Sequence, residues 1–355
     1  MNAQEYYEKV FTLLEEHHKW FSASIPLIAS ENVPSTAVRE AIISDFGNRY
    51  AEGWPGERVY AGCIYIDQVE SLCIELAKEL FKAEFVDVRP TSGVCANLVA
   101  YTAFTKPGDL IMALSIPNGG HISYGKMELG GTAGAVRGLR LAYFPFDNEE
   151  MNIDVDKTVD RIEKLKREGD RVSMAMFGAS VFLFPHPVRE LADYLKSQDI
   201  TICYDAAHVL GLIIGGTWRN PLDHGADVMT ASTHKTFPGP QGGMIAFRDE
   251  GVYKAVGKTV FPWFVSNHHL HRIPATLITA LEMAEYGEAY AKQIVSNART
   301  LAEELASYGF NVLGEKLGYT RSHQVVVNVR NLGGGAWAAQ RLEEANIIVN
   351  KNLLP

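Results

Sequence analysis

Short apolar runs alternate with helical-period segments through the middle of this chain. Strand-like runs fall at 86–88, 110–114, 139–144, 172–177, 200–204, 227–230 and 244–247. Helical patterns occupy 66–81, 95–104, 155–168 and 187–196. Such alternation predicts an α/β fold, a mostly parallel sheet with helices on both faces. Ahead of it, residues 4–20 predict an amphipathic helix with Tyr7, Val10, Phe11 and Leu14 on one face. A polar, loop-rich stretch follows from Ser22 to Gly62. The pattern changes near 265–280. Two helices are expected, over 274–290 and 291–308, then strands at 310–313 and 324–329, which together suggest a smaller α+β domain. The expected division is an N-terminal helical arm (1–30), a large domain (31–270) and a small C-terminal domain (271–355).

Composition narrows the class. The 355 residues are 47% apolar and 21% charged, with a net charge of −9 and scattered Lys and Arg. That argues against nucleic acid or an anionic membrane as the main partner. No apolar run approaches the roughly 20 residues that span a bilayer. The start, Met1-Asn2-Ala3-Gln4-Glu5, is unlike a signal peptide. Cys63, Cys73, Cys95 and Cys203 show neither metal spacing nor disulfide density, so a reducing cytoplasm is expected. Cys203, inside an apolar run, reads as a small buried hydrophobe.

The chemistry concentrates at two strand ends. Ser232-Thr233-His234-Lys235-Thr236 runs straight into Phe237-Pro238-Gly239-Pro240-Gln241-Gly242-Gly243. A lone lysine is ordinarily a solvated surface residue. Here, hydroxyl residues before it and glycines after it leave room for a flat cofactor. Thirty residues earlier, the run at 200–204 ends in Asp205-Ala206-Ala207-His208. A buried aspartate at a strand's carboxyl end needs a cationic partner. A lysine that forms a Schiff base and an aspartate that pairs with a protonated pyridine nitrogen together suit pyridoxal phosphate. Thr91-Ser92-Gly93-Val94 lies between a strand and a helix, either as an anion site or as an ordinary cap. His121, after Gly119-Gly120, either stacks on a cofactor ring or caps a turn. His208 is either a partner of the ring oxygen or a core histidine.

Over nearly its whole length the chain resembles the serine hydroxymethyltransferase family, pyridoxal-phosphate enzymes of the aspartate-aminotransferase fold (fold type I). The resemblance rests on Leu27-Ile28-Ala29-Ser30-Glu31-Asn32, Arg49-Tyr50-Ala51-Glu52-Gly53, Tyr60-Ala61-Gly62-Cys63, Gly119-Gly120-His121, Asp205-Ala206-Ala207-His208, Thr233-His234-Lys235-Thr236 and Val349-Asn350-Lys351-Asn352. Residues 50–60 and Phe182-Leu183-Phe184-Pro185-His186-Pro187 are most similar to archaeal members. The resemblance implies that Lys235 carries the cofactor, Asp205 faces its ring nitrogen, His121 stacks on the ring and His208 lies near its phenolic oxygen. It implies a phosphate site of Ser92, Gly93 and Val94, helped by Ser180 and Ser232. Ser30 would bind the substrate carboxylate, Glu52 would handle protons, Tyr50 and Tyr60 would complete the pocket, and Asn352 would touch a reduced pterin. Since family members supply Tyr50, Glu52 and Tyr60 from a neighbouring subunit, a homodimer with shared active sites is implied.

Some positions depart from the family. Val94 stands where a hydroxyl residue is common, and Pro238 and Gln241 stand where arginines are frequent. The usual glycine-rich loop is replaced by 261–269, whose His268 and His269, with His271, form no metal-ligand pattern, so no metal is expected. The family's carboxylate-binding arginine follows the Asn350–Asn352 segment and is not in this sequence, so an incomplete small domain is expected. The implied reaction is reversible transfer of the serine hydroxymethyl group to a reduced pterin (tetrahydrofolate or tetrahydromethanopterin), giving glycine. Its alternatives are a pterin-independent β-hydroxyamino-acid aldolase, an aminotransferase, and a cofactor-free interaction protein. Glu52 with Tyr60 and the 350–352 segment favours the pterin enzyme.

Overall fold

The computed structural model describes residues 2–354. Its centre is a seven-stranded sheet made of β1 (Phe85–Asp87), β2 (Leu110–Ala113), β3 (Arg140–Tyr143), β4 (Val172–Gly178), β5 (Thr201–Asp205), β6 (Val228–Ser232) and β7 (Gly243–Phe247). The strand order is β1-β7-β6-β5-β4-β2-β3, and only β7 runs against the others. All seven expected strands form, in the mostly parallel α/β arrangement. Because successive side chains in a strand point to opposite faces, the apolar runs feed two cores. Met112, Ala175, Ile202, Met229 and Met244 pack in one, while Ile111, Met174, Cys203, Val228 and Ile245 pack in the other.

The helices include α1 (Ala3–Ser22), α2 (Ile64–Phe81), α3 (Gly93–Phe104) and α4 (Arg272–Ser307). Cys73, Ala77 and Phe81 of α2 join Ile273, Ala280 and Met283 of α4 in the first core. Ala96, Val99 and Tyr101 of α3 fill the second. Asn2 starts α1 through a capping box, its side chain accepting from the Glu5 N–H while Glu5 accepts from the Asn2 N–H.

Several expectations need correction. Helix α1 buries none of its residues, so Tyr7, Val10, Phe11 and Leu14 form an apolar face exposed on the single chain. The polar stretch before residue 62 holds a helix, Thr36–Ile42, started by the Ser35 side chain accepting from the Val38 N–H (3.2 Å). The two helices expected beyond residue 274 are one 36-residue helix, α4. Near the expected junction at 290–291, Gly287 and Ala291 admit the backbone of Gly215, where a Cβ would overlap both. The expected strands at 310–313 and 324–329 shrink to a single antiparallel bridge, Val312 to Val327. Residues 324–329 line a cleft instead of pairing. Helices Glu250–Lys258 and Gly334–Glu344 were not anticipated. Ile25–Pro26 pairs in parallel with Ile347–Ile348, which draws the N-terminal segment alongside the end of the described chain.

His186 secures the end of β4. It is buried, and its Nδ1 accepts from the Gly178 N–H (3.1 Å). Burial pushes its pKa down to about 3. A histidine that stays neutral in the folded state and charges in the unfolded one lends stability above its unfolded pKa of about 6.5, and that stability drains away as pH falls. Chemical denaturation at pH 7, 6 and 5 should therefore show a loss of up to about 1.4 kcal/mol per pH unit from this group. His186→Asn, with an amide oxygen in place of Nδ1, should flatten that part of the slope; an unchanged slope would exclude His186 as its source.

Candidate active site

Ser92, His121, Ser180, Asp205, Ser232 and Lys235 lie at or just beyond the carboxyl ends of the strands, where open α/β folds bind ligands. Asp205 ends β5 and Lys235 follows β6. Asp205 is 6% exposed and makes no salt bridge among the described residues. Its Oδ1 accepts from the Ala207 N–H (2.9 Å) and its Oδ2 from the Asn97 side chain (2.8 Å). The Asn97 amide also donates to Ser123 Oγ (3.0 Å), and its oxygen accepts from Thr230 Oγ1 (2.6 Å). Ser123 Oγ in turn lies 2.8 Å from His121 Nδ1, and the Ser123 N–H donates to that same nitrogen (3.1 Å). With Nδ1 accepting, the proton of neutral His121 sits on Nε2. Burial pulls the His121 pKa down; Asp205 opposes the shift and Lys235 adds to it. Gly178, at φ +97°, stands beside Asp205, and a Cβ there would overlap the Asp205 carbonyl.

The Lys235 amine has no hydrogen-bond or ion-pair partner among the described residues. Burial lowers its pKa and Asp205 partly restores it, so the amine moves toward its neutral, nucleophilic form. The backbone around it is tied down: its carbonyl accepts from Asn32 Nδ2 (2.6 Å), and Thr236 Oγ1 donates to the His208 carbonyl (2.8 Å). Lys235, His121, His208, Ser180, Ser30 and Asn352 all line one cleft of about 720 Å³. The Ser180 N–H donates to the Gly119 carbonyl (2.8 Å), which joins the loop of His121 to that of Ser180.

Ser92 caps α3, its side chain accepting from the Cys95 N–H (3.0 Å). A Cβ at Gly93 would overlap Ser232 Oγ, so this glycine lets a hydroxyl from the end of β6 reach the helix start. The α3 N-terminus, with the amides of Gly93 and Val94 and two serines close by, has the chemistry of a phosphate cradle. Lys235, Asp205 and that cradle on one strand edge fit pyridoxal phosphate.

Tyr50, Glu52 and Tyr60 are not part of the cleft lining. The two tyrosine rings meet edge to face at 5.6 Å and are 58% and 46% exposed. Their segment is rigidly held. The buried Arg58 guanidinium pairs with Asp67 (2.8 Å) and Glu70 (2.8 Å) and donates to the carbonyls of Ala51 (2.7 Å) and Gly53 (3.1 Å). His268 also bonds Glu70 (2.9 Å). Burial pulls the Glu70 carboxyl up, but His268 and Arg58 outweigh it and hold its pKa below the usual value.

Asn97, Ser123 and Thr230 were missed in the sequence, as were His323 and Gln324 near His208. Only Asn97 carries a signal, a polar residue inside the otherwise apolar run Cys95-Ala96-Asn97-Leu98-Val99-Ala100. Removing it strands three buried polar partners. Asn97→Leu should lower stability by on the order of 1–3 kcal/mol in denaturant titration; stability equal to the parent's would show that the network does not need it.

A profile of the family described as serine hydroxymethyltransferase matches residues 3–355. The serine hydroxymethyltransferase of Nitrosopumilus maritimus (strain SCM1) is 57% identical over 352 residues, covering 99% of this chain and 80% of that protein. That of Pyrococcus furiosus is 52% identical over 360 residues, covering 100% of this chain and 82% of that protein. That of Methanopyrus kandleri is 53% identical over 346 residues, covering 98% and 78%.

Proposed function

The chain belongs to the serine hydroxymethyltransferase family of pyridoxal-phosphate-dependent enzymes, and from that premise we propose how its residues divide the work. The reaction is reversible transfer of the serine hydroxymethyl group to a reduced pterin, giving glycine. When bound, the cofactor supplies an electron sink for the charge left on Cα as the Cα–Cβ bond breaks. Lys235 is the residue that bonds it. Asp205 would hold negative charge at its ring nitrogen, His121 would lie against its ring and His208 would serve its ring oxygen. Ser92 and the N–H groups of Gly93 and Val94, with Ser180 and Ser232, hold its phosphate. Ser30 takes the substrate carboxylate and Asn352 the pterin. The observation that carries this reading is one strand edge bearing an unpaired lysine amine, a buried carboxylate without a counter-cation, and a glycine-opened helix start.

Glu52 moves a proton between the substrate hydroxyl and the pterin, and Tyr50 and Tyr60 wall the pocket. Their absence from the cleft lining of their own chain, with both tyrosines exposed, supports supply from a second copy, so the active unit is a homodimer with shared sites. The division into an arm (1–30), a large domain (31–270) and a small domain (271–355) is part of the same reading. No helix among the described residues is long and apolar enough to cross a membrane. The free thiols of Cys63, Cys73, Cys95 and Cys203 support a cytoplasmic location.

Two experiments test these assignments. Conversion of serine to glycine should require an added reduced pterin and vanish in Lys235→Arg; an equal rate without pterin would favour the aldolase. Mixing Lys235→Ala and Glu52→Gln chains should restore activity that neither has alone, since a mixed dimer rebuilds one complete site. No recovery after verified subunit exchange would place Glu52 in the site of its own chain.

A further inference from the structure

We propose that Gln324 and His323 form a positioning pair that holds His208 in the tautomer protonated on Nε2, so that His208 presents a hydrogen-bond donor to the cleft. The orientation of Gln324 is set by backbone. Its Oε1 accepts from the Phe182 N–H (2.8 Å) and its Nε2 donates to the Ser180 carbonyl (2.7 Å). A flipped amide would set oxygen against oxygen and N–H against N–H. The second N–H of that amide lies 3.3 Å from His208 Nδ1.

His323 supports the same assignment. Its Nε2 lies 3.1 Å from the Ala29 carbonyl, which only accepts, so Nε2 carries a proton. That nitrogen is also 3.3 Å from His208 Nδ1, and the two rings lie 18° from parallel. Burial pushes the His323 pKa down to about 4, so the ring is neutral at physiological pH and its buried Nδ1 is a bare lone pair. His208 Nδ1 therefore faces the Gln324 amide donor and a share of the single His323 Nε2 proton, and no acceptor among the described residues. Burial first, and Lys235 and His323 next, hold the His208 pKa well below the usual value. A neutral ring whose Nδ1 accepts must carry its proton on Nε2. That Nε2 has no hydrogen-bond partner among the described residues, and His208 lines the cleft beside Lys235 and His121.

A fixed donor there suits an oxygen bearing negative charge. On the proposed function, on which this inference rests, that oxygen is the ring oxygen of the cofactor. The pair also ties three segments together. Gln324 holds the Ser180 and Phe182 backbone, and His323 holds Ala29 next to Ser30. Neither residue needs to touch substrate, so both are positioning residues.

The test is long-range proton–nitrogen NMR of the full chain labelled with ¹⁵N-histidine, with His208 assigned from His208→Asn. Before cofactor is added, His208 should show a pyridine-like Nδ1 and a pyrrole-like Nε2. Gln324→Met and His323→Phe, which keep the packing and remove the donors, should each convert that single form to a mixture. A pyrrole-like Nδ1 in the parent protein would overturn the proposal, as would an unchanged tautomer in the Gln324→Met, His323→Phe double variant. The parent spectrum decides the assignment even if a variant does not fold. Added pyridoxal phosphate should then shift the Nε2 signal. Attachment to Lys235 without such a shift would overturn the donor role toward the cofactor and leave Lys235 standing. No attachment at all would overturn the cofactor site.

Discussion

Asp205 is a carboxylate sealed among apolar strands with only neutral hydrogen-bond donors beside it, and the architecture of the site follows from keeping it there. An isolated buried charge is costly, so its oxygens must be saturated. The main chain supplies one donor through Ala207, and α3 supplies the other through Asn97. Asn97 is itself held by Thr230 and Ser123, which brings in the neighbouring strand and the loop of His121. Gly178, at the end of β4, lacks a side chain because the Asp205 backbone of β5 runs directly alongside. A residue serving only stability would more simply be apolar. An unneutralised carboxylate in this position suits a cationic ring nitrogen that arrives with the cofactor.

Lys235 is the counterpart of Asp205 at the neighbouring strand end. Its burial disfavours charge, and the cleft gives its amine no protein partner. The lysine backbone, by contrast, is fixed from both sides, by Asn32 from the N-terminal segment and through Thr236 by the His208 carbonyl. A free side chain on a rigid main chain is what a covalent anchor needs. Burial lowers the pKa of His121, His208 and His323 around it, which favours the neutral form of each ring.

A different economy governs the segment of Tyr50, Glu52 and Tyr60. Arg58 and Glu70 are buried deeply and satisfied by several partners, which stiffens the segment without giving it a place in its own cleft. Like the apolar face of α1, the tyrosines of this segment stay exposed on the single chain.

Local pattern alone was enough for the seven strands, the parallel core, Lys235 and Asp205, because period-two and period-3.6 burial and strand-end chemistry are properties of adjacent residues. For Ser92-Gly93-Val94 the local pattern left an anion site and an ordinary helix cap both open. The continuity of α4 across 290–291 was not legible, since the packing of Gly215 against Gly287 and Ala291 is made only in the tertiary fold. Nor was the fate of 324–329, whose strand-like run lines the cleft instead of pairing. The partners of Asp205 and His208 lie 108 and 116 residues from them, at Asn97 and Gln324, and hydrogen bonds of that range leave no trace in local sequence. Residue identity determined which groups carry chemistry; only the tertiary fold decided which nitrogen or oxygen each presents, because a proton's position is set by the atoms facing it.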